Sequence, residues 1–324
     1  MASPNLSEIV TTTLRNRTGK LADNVTKQTA LLDRLRRRGN VMYADGGSVI
    51  LQEMQYAENS TYFRYSGYET VNISPSDVLT AAEYGWKQAS VAVTISGLEQ
   101  IQNSGKNQII NLLTSRIQNA EITMSNNIAS DCYSDGTADG GKQIGGMQLL
   151  VSTDPANTTV GGINANTWSF WRNSVFSAST NGGAPASQAN IQQYMSQLWQ
   201  RLVRNNEYPD LIVADNNYWN AYQNSLMAIQ RIQQINGSGE SGWMSLKFMN
   251  ADVLMDGGFG GYAPANRMYF VNTKYLFFRP SRERNFTVED SDRIPINQDA
   301  IVKMILFAGN MTCSNRSLQG VLTA

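Results

Sequence analysis

The sequence predicts an α+β chain, on three observations. A long helix occupies the middle, a mixed helix and strand unit follows it, and the tail is made of strands. The helix is residues 104–135, where Ile109, Leu113, Ile117, Ala120, Met124, Ile128 and Cys132 recur at steps of three and four. That spacing draws one apolar stripe on a helix of period 3.6. Some thirty residues at ~1.5 Å each span about 45 Å, more than the width of a small domain.

Residues 1–40 read as a polar, helix-prone arm. Leu6, Ile9, Val10, Leu14, Leu21, Val25, Leu31, Leu32 and Leu35 make a broken apolar stripe, interrupted at Gly19. Basic residues outnumber acids from Arg15 to Arg38, and Arg34, Arg36, Arg37 and Arg38 lie together before Gly39. Such a cluster suits either phosphate contact or the C-terminal end of a solvated helix. Residues 41–85 read as a projecting hairpin. After Gly46-Gly47, a first strand carries Val49, Ile50, Leu51, Met54 and Tyr56. Asn59-Ser60 supplies a turn, and Tyr62, Phe63, Tyr65, Tyr68 and Val71 supply the return. Five aromatics between Tyr56 and Tyr68 have few aliphatic neighbours, so this stretch needs a partner surface.

Residues 83–95 read as another strand, with Ala89, Val91, Val93 and Ile95 on one face. Ser96-Gly97-Leu98-Glu99 matches a capping box, and a short helix breaks at Ser104-Gly105 before the long one begins. Residues 135–162 are rich in Gly, Thr and Asp and mark a loop and a domain boundary. Two near-motifs there fail chemically. Gly136 to Lys142 has the spacing of a phosphate-binding loop, but Gln143 stands where Ser or Thr is required. Asp131, Tyr133 and Asp135 follow a calcium-loop spacing, but the third position is Tyr and the twelfth is Lys142.

Residues 163–262 read as an α/β unit. Trp168, Phe170 and Trp171 form an aromatic knot; Ile191, Tyr194, Leu198 and Leu202 form a helical stripe. Leu211 to Ala214 is a short buried strand, and Asp215 caps a second helix carrying Trp219, Tyr222, Leu226 and Ile229. Residues 237–242 are a tip, and the Gly-rich run from Asp256 to Tyr262 is a plain loop. In the tail, residues 268–271, 275–278, 300–302 and 304–308 read as strands, the last apolar on both faces as in mid-sheet.

Composition narrows the function. The 324 residues suffice for two domains or one large one. With 26 basic and 26 acidic residues, the whole chain shows no bias toward nucleic acid or membrane. No apolar run approaches the ~18 residues of a membrane span, and the N-terminus lacks a signal peptide's apolar centre. A soluble protein made in a cytoplasm is expected. Cys132 and Cys313 are far apart and suggest neither a disulfide framework nor a metal pair. Charged residues are 16 %, against the ~25 % usual in globular domains, so much of the surface is expected to be covered, by copies of the chain itself. The chain has no histidine, which removes Ser-His-Asp and Cys-His triads, most catalytic zinc sites and imidazole acid/base chemistry.

Several local phrases occur in a telling order. They are Leu14-Arg-Asn-Arg-Thr-Gly19, Arg64-Tyr-Ser-Gly-Tyr-Glu69, Thr167-Trp-Ser-Phe-Trp-Arg-Asn173 and Pro209-Asp-Leu-Ile-Val-Ala-Asp215. Met268-Tyr-Phe-Val-Asn-Thr-Lys-Tyr-Leu276, Gln298-Asp-Ala-Ile-Val302 and Ala308-Gly-Asn-Met-Thr-Cys-Ser-Asn315 follow. Together with the sequence of arm, hairpin, strand, long helix, α/β unit and return strands, the chain resembles the major capsid proteins of tailed bacteriophages, the Hong Kong 97-like fold.

The resemblance implies an N-terminal arm (1–40), an extended loop (41–85), a peripheral domain (86–144 and 266–324) with spine helix 104–135, and an axial domain (145–265). It implies self-assembly into hexamers and pentamers that close an icosahedral shell around double-stranded DNA, bound without sequence specificity. A separate scaffolding protein and a portal are implied partners, with no membrane and no cofactor; the product is a virion assembled in the host bacterial cytoplasm. Tyr56, Tyr62, Phe63, Tyr65 and Tyr68 are then expected at inter-subunit contacts, and Arg34, Arg36, Arg37 and Arg38 facing the lumen and its DNA. Some members join a loop Lys to a neighbour's Asn. Residues 41–85 contain no Lys and Lys87 sits at the loop's base, so a non-covalent shell is expected. Some carry a long N-terminal scaffolding region, for which this chain has no room unless it has already been removed.

Other readings remain. The shell of an encapsulating nanocompartment would share the fold and differ in cargo, whereas a tail tube should lack the spine helix. A hydrolase using paired carboxylates such as Asp210 and Asp215 needs those groups about 5–10 Å apart.

Overall fold

The computed structural model describes residues 30–97, 106–227, 245–257, 261–288 and 299–324. Among the described residues, a six-stranded sheet, a three-stranded sheet, one long helix and a hairpin frame the fold. Helix α1 (Ala30–Arg37) comes first, then the hairpin of β1 (Val49–Gln55) and β2 (Leu79–Gly85), then β3 (Lys87–Ser96). Helix α2 (Lys106–Asp131) is the spine, about 39 Å long at ~1.5 Å per residue.

The expected stripe is the buried face of α2: Ile117, Ala120, Met124 and Ile128 are all buried. Ile109 and Leu113 lie outside the described side chains. The helix stops at Asp131, four residues earlier than expected. Its last turn tightens through Tyr133 N–H to the Ser130 carbonyl (3.0 Å) and Ser134 N–H to the Asp131 carbonyl (3.0 Å). Cys132 continues the stripe beyond the helix, fully buried. Gly146 passes so close beneath this turn that a Cβ on it would stand 2.4 Å from the Asp131 carbonyl oxygen. The stretch 135–162, read as a loop, is only partly one: it contains short helical turns at Ala138–Gly141 and Met147–Leu150 and ends in the strand Thr159–Val160. It turns through three successive left-handed residues, Asp139, Gly140 and Gly141.

Strand β3 pairs antiparallel with β12 (Ala300–Cys313), which pairs on its other side with β11 (Leu276–Val288), giving the order β11-β12-β3. The tail segments 300–302 and 304–308, read separately in the sequence, are one strand running through Lys303, which is itself buried. Strands β2 and β3, read together as 83–95, are separated at Trp86.

After the short pair β4 (Thr159–Val160) and β5 (Ile163–Asn164) comes the larger sheet. It contains β6 (Ser174–Ser177), β7 (Leu211–Ala214), β8 (Ser245–Phe248), β9 (Ala251–Met255), β10 (Arg267–Val271) and β13 (Gly320–Thr323), in the order β6-β13-β10-β7-β9-β8. Helices α3 (Ile191–Leu202) and α4 (Asn216–Met227) lie between its strands in sequence. Ile212 and Ala214 of β7 join the α3 and α4 core with Tyr194, Leu198, Trp219 and Tyr222, while Leu211 and Val213 join the core that contains the spine stripe. With both faces covered, every residue of β7 is buried, which is why the strand reads as a continuous apolar run. Asp215 does cap α4, accepting the Tyr218 N–H at 3.0 Å, and it also takes the Asn266 N–H at 2.7 Å.

Three expectations need correction. The return strand of the hairpin is Leu79–Gly85, in register with β1 from Val49↔Gly85 to Gln55↔Leu79, while the aromatic stretch 62–71 is irregular. Aromatic side chains suggested a strand, yet only residues 79–85 can present Ala82 and Tyr84 inward opposite Ile50 and Gln52. The boundary drawn at 265/266 passes through a sheet, because β10 and β13 hydrogen-bond into the six-stranded sheet with β7 and β6. Finally, residues 30–40 belong to the body instead of a free arm. Leu31, Leu32 and Leu35 are fully buried, and α1 ends on Gly39 at φ +78. The Gly39 N–H bonds the Arg36 carbonyl (3.0 Å) and the Asn40 N–H bonds the Leu35 carbonyl (2.8 Å), a Schellman stop. Residues 40–44 then run beside β11, with Met42 N–H on the Phe278 carbonyl (3.0 Å). Residues 1–29, the tip at 237–242 and the capping-box position Glu99 lie outside the described residues.

Two substitutions test this layout. Ile117→Asp puts an unpaired charge into the spine core, and the chain should be recovered only as insoluble material; a soluble, folded product would take the stripe out of the core. Gly140→Ala should lower the unfolding free energy by about 1 kcal/mol through its left-handed backbone alone, whereas Gly146→Ala, facing backbone atoms, should prevent folding.

Candidate assembly surface

The hairpin stem has an inner and an outer face. Ile50, Met54, Ala82 and Tyr84 are buried on the inner face, while Leu51, Glu53, Leu79 and Glu83 face solvent. The inner face is bound to the body. The Tyr84 hydroxyl donates to the Cys313 carbonyl (3.0 Å) and accepts from its N–H (3.2 Å). Arg279 donates to Gln52 Oε1 (2.9 Å), Asn310 Nδ2 donates to the Gly85 carbonyl (2.8 Å), and Glu83 N–H bonds the Gly161 carbonyl (2.9 Å).

Residues 56–78 project from this stem. They are ordered by local turns: Asn59 Oδ1 accepts the Thr61 N–H (2.9 Å), Glu69 accepts the Ser66 N–H (3.0 Å) and Asn72 accepts the Ser74 N–H (3.0 Å). From Ala57 to Asp77 no core covers them. Tyr62 is 79 % exposed, Tyr65 66 %, Ile73 92 % and Tyr68 fully exposed, with Phe63 and Val71 half exposed. A run of apolar side chains held out in water is the signature of a contact surface. Tyr56 differs from the other four. It is half-buried and packs within its own chain, edge-on to Trp168 at 5.7 Å and tilted on Phe170 at 5.8 Å.

The four arginines are not grouped alike. Arg34 lies 3.6 Å from Asp210 and 3.3 Å from Asp252, and Arg38 pairs with Asp210 and donates to Thr273 Oγ1 (2.9 Å). Arg37 pairs with Asp33 one turn back at 3.0 Å. Arg34 and Arg38 thus spend their charge holding α1 against the ends of β7 and β9. Lys87 donates its Nζ to the Gly141 carbonyl.

The carboxylate-pair reading fails on geometry. Asp210 and Asp215 stand at opposite ends of β7, about 16 Å apart at ~3.3 Å per residue. Asp210 accepts the Thr273 N–H (2.7 Å) and Asp215 caps α4. Around the calcium-like spacing, Asp131 accepts from Gln143 Nε2 (2.7 Å) and Asp135 accepts the Thr137 N–H (3.0 Å), which with the Thr137 hydroxyl holds its carboxyl below the usual range. Among the described residues, no three His, Cys, Asp or Glu side chains could hold a metal ion together.

Several buried groups were not visible to sequence reasoning. Arg316 is fully buried; its Nε donates to the Leu150 carbonyl (2.7 Å), an Nη to Asn173 (3.2 Å), and its guanidinium lies 5.8 Å from the Trp171 ring centroid. Burial lowers its pKa. Gln319 bridges to Asn272, accepting its N–H (2.9 Å) and donating to its carbonyl (3.0 Å). Asp256, in the Gly-rich stretch, is buried and accepts the Tyr133 hydroxyl; burial pushes its carboxyl above the ordinary value.

No protein-family model matches the chain, and no curated protein matches it in sequence. Solved structures do match its fold. The capsid asymmetric unit of cyanophage A-1(L) is 15 % identical over 88 % of this chain and 90 % of that one, with a TM-score of 0.65. The capsid of an empty GTA particle is 9 % identical over 88 % of each chain, TM-score 0.58, and that of Myoviridae phage XM1 is 14 % identical over 90 % and 91 %, TM-score 0.52. The chain therefore has the Hong Kong 97-like fold of tailed-phage capsids.

The Asp256 environment sets a pH dependence. Because its folded-state pKa is raised, the ionised carboxylate destabilises the native chain at neutral pH, and stability is regained as pH falls toward the unfolded value. Asp256→Asn keeps an acceptor for Tyr133 and removes the charge. It should raise the urea midpoint near pH 7 and lose that advantage near pH 4; a pH-independent difference would rule out the buried charge as its cause.

Proposed function

We propose that the chain is a major capsid protein, a coat subunit that assembles with copies of itself into the hexamers and pentamers of an icosahedral head around double-stranded DNA. The observation that carries this reading is the apolar loop 56–78, projecting without a core of its own from a stem fixed to a capsid fold. Tyr62, Phe63, Tyr65 and Tyr68 then seat on a neighbouring subunit, desolvated there at the centre of a contact. Low surface charge supports the same reading, since lateral contacts at a shell bury uncharged surface.

A structural role accounts for the carboxylates: those singled out for catalysis serve as a helix cap and a strand-end anchor. A lumenal contact with packaged DNA falls to the exposed Arg36 and Arg37, and not to Arg34 and Arg38, which are engaged with Asp210 and Asp252. Engagement of Lys87 with Gly141 supports a shell held without covalent links. Scaffolding and portal proteins complete the proposal as separate partners, with assembly in the host bacterial cytoplasm and the virion as the end point. No helix among the described residues is long and apolar enough to cross a membrane.

The test is electron microscopy with light-scattering mass on the purified chain, alone and with its scaffold. Closed particles or rings of five or six subunits, dissolving to monomer bands in denaturing gels, are expected. Particles filled with protein cargo would point to a nanocompartment shell, and a strict monomer of about 36 kDa with the scaffold present would overturn the proposal. Replacing Tyr62, Phe63 and Tyr65 together by Ser should leave the melting temperature within about 2 °C and remove particles; intact particles from that variant would exclude the loop from the contact.

A further inference from the structure

We propose that the projecting loop bends at Tyr56 and Val78 and that its base is rigid, with Tyr56 the residue that positions the loop on the body. Its use rests on the coat-subunit reading, while its physics belongs to the single chain. Two joints are conceivable. One is the base, where Gly46 and Gly47 adopt φ +70 and +89 and Trp86 separates β2 from β3. A base rotation, however, would break every tie that holds the stem. The Tyr84 hydroxyl, Gln52 and the Gly85 carbonyl would leave β11 and β12, and Glu83 would leave Gly161. Gly161 also lies so close that a Cβ on it would be 2.7 Å from that of Ala82. At the base itself, Trp86 Nε1 donates across to the Gly47 carbonyl at 2.9 Å.

Those ties end at Tyr56. Its N–H bonds the Val78 carbonyl (3.0 Å), closing the ladder, and its ring packs edge-on against Trp168 and tilted against Phe170, the latter 6.1 Å from buried Trp171. Every hydrogen bond and ring contact described for residues 57–77 is internal to the loop, such as Ser60 to Ser76. Stiffness therefore changes abruptly at one aromatic cluster. In a shell, where one sequence meets neighbours at both five- and sixfold positions, the adjustment falls beyond Tyr56 while the stem keeps its angle to the sheet.

Amide hydrogen exchange on the purified, unassembled chain tests this. Ladder amides of 50–54 and 80–84 should exchange at least about a hundredfold more slowly than amides of 60–75. Tyr56→Ala should speed the stem's outer amides about tenfold, and Tyr56→Phe, which keeps the ring contacts, should not. A wild-type stem exchanging at the loop's rate would place the joint at the base and overturn the proposal, as would a stem indifferent to Tyr56→Ala. Failure of the chain to form particles would count against the coat reading and leave this result standing.

Discussion

Pairing along both edges of Ala300–Cys313 is the constraint on which the fold depends. That strand carries β11 on one side and β3 on the other. The hairpin stem hangs from its last residues, through Asn310 to Gly85 and Cys313 to Tyr84. Just beyond it, Arg316 and Gln319 lead into β13, an inner strand of the six-stranded sheet. One continuous stretch of backbone thus orients both sheets and the projection. Buried Arg316 makes the junction sensitive, because a desolvated guanidinium with backbone, Asn and Thr acceptors tolerates little displacement.

Charge is used sparingly and mostly for joining. Arg34 and Arg38 attach α1 to Asp210 and Asp252 at the ends of adjacent strands, and Lys274 pairs with Glu207 nearby. Asp210 and Asp252 are mostly covered while Lys274 is over half exposed, so the α1 pairs hold the more desolvated charges. Low overall charge then leaves large areas of surface uncharged; on the loop, Arg64 lies over Tyr62 as the one basic residue among the aromatics.

Local signals were legible in the sequence and non-local ones were not. The spine stripe from Ile117 to Ile128, the buried strand Leu211–Ala214 and the Asp215 cap each follow from residues within one or two turns of one another. The return strand of the hairpin was misplaced because Leu79–Gly85 is poor in β-branched residues, while the aromatics at 62–68 imitate a strand. What decides between them is tertiary: Ala82 and Tyr84 have a surface to pack on and Tyr65 has none. The 265/266 boundary failed for the same reason, since β10 and β13 find their partners across more than fifty residues of chain. In the surface set, Tyr62, Phe63, Tyr65 and Tyr68 stand out as composition suggested. Tyr56 was separable from them only through Trp168, a hundred residues away.

The two cysteines carry a practical consequence. Cys132 and Cys313 are both fully buried, and burial pushes the Cys313 thiol up to about 12 and raises that of Cys132 as well. Neither presents a thiolate at neutral pH. A cysteine installed at Tyr68, on the exposed crest of the loop, would therefore react alone with a maleimide. The chain is, in effect, already prepared for a single dye or tether on its projecting loop.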